Sequence, residues 1–333
     1  MPSIPLLVCD DSSMVRKQLL RALPPEWAVS VTEVDNGKAG LEAIRQGLGR
    51  VVLLDLTMPV MDGYQVLSAV REEGLQAHVI VISADVQEEA RRRVLDMGAL
   101  AFLRKPFDPD EFRQTLHQHG LLAVPQQDIA ANAPTIDGPS TFRDVLQETV
   151  NVAIGRAGAL LARVLDVFVQ LPVPNVNLLE VGELHMALAD VQRGDERLTA
   201  ICQGYIGSGI AGEALLIFHD SEIADMATLL HRDGNDGGDL EMLLDLSTLL
   251  IGACLSGIAE QIDVVFSQSH PQILGEHLAI DELIQVNSQR NKKTLAVEIS
   301  YSLEGHDIHF DLLMLFSEDS VQLLNRKLAY LMN

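Results

Sequence analysis

Asp144-Val-Leu-Gln-Glu148-Thr-Val-Asn151 and, further along, Glu241-Met-Leu-Leu-Asp245-Leu-Ser-Thr248 share one frame, and each is followed at the same distance by a proline, Pro174 and Pro271. On a helix, offsets of 0, 4 and 7 bring Asp144, Glu148 and Asn151 into one stripe, so a carboxylate and a carboxamide project side by side. The second copy repeats the frame with altered chemistry: Asp245 stands where the first has Glu148, and Thr248 where it has Asn151. Small residues continue both stripes, Gly155, Gly158 and Ala162 in one and Gly252, Ser256 and Ala259 in the other, which predicts low-relief faces open to another protein surface. The complementary faces are apolar with helical periodicity, through Leu146, Val150, Ile154, Ala157, Leu161, Val164 and Phe168, and through Leu243, Leu246, Leu250, Ala253 and Ile258.

Working outward, a helix over 142–171 precedes strand-like segments near 184–191, 198–205 and 213–218 and a short helix over 221–231. The second copy follows with a helix over 240–262 and strands near 278–287, 294–303 and 309–316. Two such halves predict an α/β sandwich of pseudo-two-fold symmetry over residues 141–333, its two long helices on one face of an antiparallel sheet. Gly207, Gly209 and Gly212 match G-x-G-x-x-G, but Ala214 to Phe218 reads as a strand where a dinucleotide fingerprint needs a helix, so a glycine-rich hairpin is expected. His306 and His309 would point to opposite faces of a strand, and no zinc site is expected there.

Residues 123–140 lack apolar periodicity and hold Pro125, Pro134, Gly138 and Pro139, the composition of a linker. Before it, residues 1–122 alternate short apolar runs with amphipathic segments, the rhythm of a doubly wound parallel (βα)5 sheet. The formal charge of -23 is uneven: residues 1–122 carry 13 Lys+Arg against 17 Asp+Glu, and residues 123–333 carry 11 against 30. So acidic a second domain repels nucleic acid and anionic membrane, leaving proteins as the expected partners. Cys9, Cys202 and Cys254 are odd in number and lack metal-ligand spacing, which suits a reducing compartment. Neither a signal peptide nor a bilayer-spanning segment is read in the chain, and a cytoplasmic location is expected.

Functional residues of a parallel sheet collect at the carboxyl ends of its strands, where this sequence puts Asp10, Asp11, Asp55, Ser83 and Lys105. Converging carboxylates call for a hard cation such as Mg²⁺. The segments C-D-D-S-S (9–13), D-L-T-M-P-V-M-D-G (55–63) and L-R-K-P-F (103–107) resemble the response-regulator receiver family. That resemblance implies that Asp55 is the phosphoacceptor, fed by a sensor histidine kinase, and that Asp11, Asp55 and the Thr57 carbonyl ligate Mg²⁺ with Asp10 acting through water. It also implies phosphoryl contacts from Ser83 and Lys105, a switch role for Phe102 and a cis Lys105–Pro106 bond.

The duplicated frame resembles the CheC, CheX and FliY group of chemotaxis phosphatases over roughly 141–333, with the segment G-E-A-L-L-I-F (212–218) in support. By that resemblance Glu148 pairs with the lysine of a bound CheY-like receiver and Asn151 places water in line with its aspartyl phosphate, while Asp144 orients or contacts the partner. Asp245 and Thr248 would form a degraded second site, because a hydroxyl lacks the reach and the separate donor and acceptor of an amide. Two readings follow. One is a phosphatase acting on phosphorylated receivers under control of Asp55, within the chain or across a homodimer. The other is a non-enzymatic adaptor that binds a CheD-like deamidase according to the state of Asp55.

Overall fold

The computed structural model describes residues 3–122, 140–179, 197–230, 238–278 and 294–331. All of the predicted linker over 123–140 except Ser140, the strand near 184–191 and most of that over 278–287 lie outside the described residues. The chain divides into two compact units, 1–148 with 331–333 and 149–330, so the division falls inside a helix rather than in the predicted linker.

In the first unit, strands β1 (Ile4–Cys9), β2 (Val29–Val34), β3 (Val51–Leu54), β4 (His78–Ser83) and β5 (Ala101–Arg104) alternate with helices α1 (Ser13–Ala22), α2 (Gly37–Arg45), α3 (Gly63–Glu72), α4 (Glu88–Asp96) and α5 (Pro109–Gln118). All pairings are parallel, in the order β2-β1-β3-β4-β5. Successive residues of the strands enter two separate cores, Leu7, Cys9, Val52, Leu54 and Val81 on one face and Leu6, Val8, Leu53, Ile80 and Ile82 on the other. Burial on both faces is why these strands are continuous apolar runs instead of alternating ones. Helix starts are locally encoded: Ser12 caps α1, Asn36 caps α2, and Asp62 with Gln65 forms a capping box on α3.

Helix α6 (Phe142–Leu165) opens on a reciprocal Thr141–Asp144 cap, with the Asp144 amide donating to the Thr141 hydroxyl and the Thr141 amide to the Asp144 carboxylate, both at 3.2 Å. After it come β6 (Val169–Gln170), β7 (Asn175–Leu179), β8 (Leu198–Gly207), β9 (Ile210–His219) and α7 (Ile223–Leu229). The same series then repeats as α8 (Gly238–Ile262), β10 (Ser267–Gln268), β11 (Gln272–Leu278), β12 (Thr294–Leu303), β13 (His309–Phe316) and α9 (Glu318–Leu328). The halves exchange strands. β10 and β11 pair with β8, β6 and β7 pair with β12, and β9 joins β13 at the centre with Leu215 opposite Leu313.

Both long helices stop at an aspartate in the left-handed region, Asp166 at φ 54° and Asp263 at φ 51°, a conformation that Asp tolerates better than most residues. The first therefore ends at Leu165, short of the predicted 171, and Val164 near that end is 43% exposed instead of buried. α8 is long and apolar enough to cross a membrane by length and composition, but Leu243, Leu246, Leu250, Cys254 and Ile258 on it are buried at core spacing. It crosses α6 where a Cβ on Gly257 would sit 2.7 Å from Ala153 Cα, so backbone meets backbone there.

The sheet face beneath α8 carries stacked Tyr301 and Phe310, and the Tyr301 hydroxyl lies 3.6 Å from Cys254 Sγ. The opposite face is buried as well, through Leu198, Ala200, Leu215, Ile217, Ala296 and Leu313. Gly207 to Gly212 is the β8–β9 hairpin, with Ser208 at φ 52° and Gly209 at φ 83°, the positive angles of a type I′ turn. His306 lies in the turn between β12 and β13, and His309 at the start of β13 faces Glu222 and Asp307. The chain itself covers part of the small-residue stripes, with Leu171 filling the space over Gly158 and the Gln268 side chain over Gly252, while Ser256 is exposed.

Candidate functional site

Parallel register aligns the carboxyl ends of β1, β3, β4 and β5, and short hydrogen bonds fix the residues just beyond them. The Asp55 amide donates to the Cys9 carbonyl at 2.9 Å, the Asp10 amide to Val34 at 3.2 Å and the Lys105 amide to Ser83 at 2.8 Å. Gly63 holds α3 against this rim, since a Cβ there would meet the Asp55 carbonyl oxygen at 2.3 Å. The Lys105–Pro106 bond is cis, as the resemblance implied.

Asp10, Asp11 and Asp55 offer carboxylate oxygens that all lie within 4.8 Å of one another. Lys105 Nζ stands 2.8 Å from Asp10 Oδ2, 3.2 Å from Asp55 Oδ2 and 3.6 Å from Glu148 Oε1. These groups are shut from water together, with Asp10 and Asp55 each 1% exposed, Glu148 4% and Lys105 5%. Asp10 Oδ2, Asp55 Oδ2 and Lys105 Nζ are close enough for ion pairing yet make no well-angled hydrogen bond.

One ammonium cannot balance so many buried carboxylates. Burial works against the Lys105 charge, yet Asp10, Asp55 and Glu148 hold its pKa well above the ordinary value. Burial, reinforced by Asp10, pushes Asp11 up to about 7. Burial also raises Asp55 and Glu148 against the opposing pull of Lys105. Excess negative charge, oxygen donors and carboxylate atoms without a well-angled hydrogen bond fit a divalent cation of the Mg²⁺ type held by Asp10, Asp11 and Asp55. When bound, such an ion supplies charge neutralisation for an incoming phosphoryl group. Thr57 follows Asp55 in the loop after β3 and is half-buried.

Ser83 is fully buried at the end of β4, where its hydroxyl accepts from the Asp85 amide at 3.2 Å. Phe102 on β5 is half-buried against the core that contains Val81 and Leu54. Asn151, three residues beyond Glu148 on α6, is 5% exposed. On α8, Asp245 and Thr248 are exposed, and the Thr248 hydroxyl donates back to the Leu244 carbonyl at 3.0 Å.

Sequence reasoning missed four supporting residues. The Ser12 hydroxyl caps α1, accepting from the Val15 amide at 3.3 Å. Arg16 Nη1 donates to the Asp10 and Asp11 carbonyls at 2.7 and 3.3 Å. The Ser13 hydroxyl donates to Asp144 Oδ2 at 3.1 Å, and Lys17 Nζ donates to the Ser140 hydroxyl at 3.3 Å. Only the Ser12 cap has a sequence signal, a serine between an acidic pair and an amphipathic run.

The chain matches the family model for the response regulator receiver domain over residues 6–117. The nitrate/nitrite response regulator protein NarL of Escherichia coli K12 is 31% identical over 176 residues, 49% of this chain and 81% of that protein. Chemotaxis protein CheY of Halobacterium salinarum is 30% identical over 102 residues, 31% of this chain and 84% of the relative. The crystal structure of Thermotoga maritima FliY is similar over 57% of this chain and 96% of its own, at 18% identity and a TM-score of 0.44. The family match runs from β1 into α5 and takes in every residue of the acidic rim, and on it and these relatives the chain belongs to the response regulators, with a receiver domain at its N-terminal end.

Proposed function

We propose that the chain joins a phosphoryl-accepting receiver to a phosphatase for the aspartyl phosphate of receiver proteins, with Glu148 and Asn151 on α6 as its working pair. The observation that carries this reading is the Glu148 carboxylate 3.6 Å from Lys105, a lysine of the kind every phosphorylated receiver of this family would present. Asn151 lies three residues beyond Glu148 on α6, so a receiver whose lysine paired with Glu148 would have the Asn151 amide about one helical turn away. In the reaction, water attacks phosphorus, the phosphorus–oxygen bond of the acyl phosphate breaks, and carboxylate and inorganic phosphate leave. Such a phosphate is already activated, so placing the water in line is the main task left to the protein.

The substrate on this reading is a separate phosphorylated CheY-like receiver, the phosphodonor to Asp55 is a sensor histidine kinase, and the setting is cytoplasmic chemotaxis signalling. The substrate receiver would bring its own Mg²⁺. The test is decay of phosphoaspartate on such a receiver with wild type, Glu148→Gln and Asn151→Ala; acceleration by wild type alone supports it.

A second reading is an adaptor whose affinity for a CheD-like partner follows the state of Asp55. The favouring observation is Thr248, whose hydroxyl is engaged by its own helix and so leaves one of two related positions without a water-placing group. Unaccelerated decay on several receivers, with partner binding that depends on Asp55, would select it.

A further inference from the structure

We propose that Arg16 is the positioning residue of the cation site: its guanidinium, anchored on Glu33, fixes the turn that carries Asp10 and Asp11, and cation affinity depends on that fixing. Arg16 Nη1 donates to the Asp10 carbonyl at 2.7 Å and to the Asp11 carbonyl at 3.3 Å, so one side chain holds two successive peptide planes. Its Nε donates to Glu33 Oε2 at 3.3 Å, which ties the turn to β2. Two further bonds grip the same turn, from the Asp10 amide to the Val34 carbonyl and from the Ser12 amide to Asp10 Oδ1 at 2.9 Å. The start of α1 supplies the guanidinium, since the Arg16 amide donates to the Ser12 carbonyl at 3.1 Å in the first turn of that helix.

The carboxylate oxygens of Asp10, Asp11 and Asp55 lie within 4.8 Å of one another, an arrangement that their mutual repulsion opposes until a cation is present. A loose turn would relieve the repulsion by splaying Asp10 and Asp11, and binding would then have to order them again. A turn held in advance removes that ordering from the binding step. A guanidinium beside a cation site also repels the cation, and the two effects oppose each other. Pairing with Glu33 decides between them, because the opposite charges largely cancel toward the site while the planar fork still holds both carbonyls. Lysine at this position would keep the charge and lose the fork, so geometry and charge can be separated. The inference rests on the acidic rim as a divalent-cation site and is independent of any phosphatase activity.

The test uses the full chain with Mn²⁺ as the probe, free Mn²⁺ being read by electron paramagnetic resonance and the site identified as the binding that Asp11→Asn loses. Arg16→Ala should weaken this binding by on the order of 10-fold, the scale for losing a residue that orients metal ligands. Arg16→Lys should weaken it by about threefold or more, because the charge alone does not replace the fork. Glu33→Gln, which leaves Arg16 in place without its anchoring charge, should weaken it by about twofold or more. Thermal melts without divalent cation report folding separately. Lower melting temperatures with wild-type affinity in all three variants would assign Arg16 to folding alone and overturn the proposal. Tighter binding by Arg16→Ala would overturn it too, since that is the sign expected of a guanidinium that only repels the cation. Wild type that takes up no Mn²⁺ would overturn the cation site itself, and the role of Arg16 with it.

Discussion

The ammonium of Lys105 and the carboxylate of Glu148 stand 3.6 Å apart, both buried, although one directly follows the last receiver strand and the other lies on the first long helix beyond it. Lys105 already serves two aspartates, so Glu148 adds a negative charge to a site that has too many. Such a surplus is tolerated where a function uses it. Asp55→Asn removes one buried charge and is expected to abolish labelling by a small phosphodonor with Mg²⁺, read by phosphate-affinity electrophoresis. Label that persists on the variant would reassign the acceptor.

The two related helical positions are expected to be unequal. Asn151→Ala should lower the proposed phosphatase rate by on the order of 10²-fold, the scale for one well-placed catalytic group. Thr248→Ala should leave it within about twofold, because that hydroxyl already serves the Leu244 carbonyl. Equal losses in single-turnover decay would refute the asymmetry.

Asp85 makes stability depend on pH. Its carboxylate accepts from the Gln87 amide at 2.9 Å, but burial outweighs this and pushes its pKa from 3.8 to about 6. A raised carboxylate pKa means the folded state binds the proton more tightly. Its contribution is therefore full below pH 3.8 and is lost as pH rises through about 6. Asp85→Asn, which keeps an acceptor for Gln87, should be more stable than wild type by about 1–3 kcal/mol at pH 7.5, with the gap closing toward pH 4. Urea unfolding at both values measures it, and a gap that is constant with pH would contradict the assignment.

Three backbone sites separate close packing from strain. Val60 is 81% exposed at φ 71°, a conformation a β-branched residue resists, so Val60→Gly should stabilise the chain by about 1 kcal/mol. Gly257→Ala should destabilise it by about 1–3 kcal/mol by forcing α8 off Ala153. Gly252→Ala, whose Cβ would meet nothing nearer than 3.7 Å, should gain up to about 1 kcal/mol of helix propensity. Thermal melts of the three variants would check the order, and a stable Gly257→Ala would show that the helix crossing is looser than described.

Much of this was legible in the chain because local chemistry and tertiary placement agree. β12 and β13 fall on the residues that the apolar pattern marked, and the acidic rim assembles because parallel strands bring their ends together. Other features carry no local signal. Aspartate is a rare left-handed terminator, so nothing at Asp166 announced the end of α6. The strand exchange that pairs β6 and β7 with β12 depends on long-range register, which periodicity within a half does not encode. Ser13 and Lys17 look like ordinary polar helix residues until residues 140–148 come to lie beside them.

The central claim is that α6 removes phosphoryl groups from receivers. Its most direct measurement is the decay of phosphoaspartate on a separate, purified chemotaxis receiver, followed after the phosphodonor is removed, with and without the full chain. The account predicts decay accelerated by at least tenfold with wild type and by less than twofold with Asn151→Ala, at matched concentration and with the variant shown to be folded. Decay that runs at the receiver's own rate with both proteins, across several receivers, would contradict it.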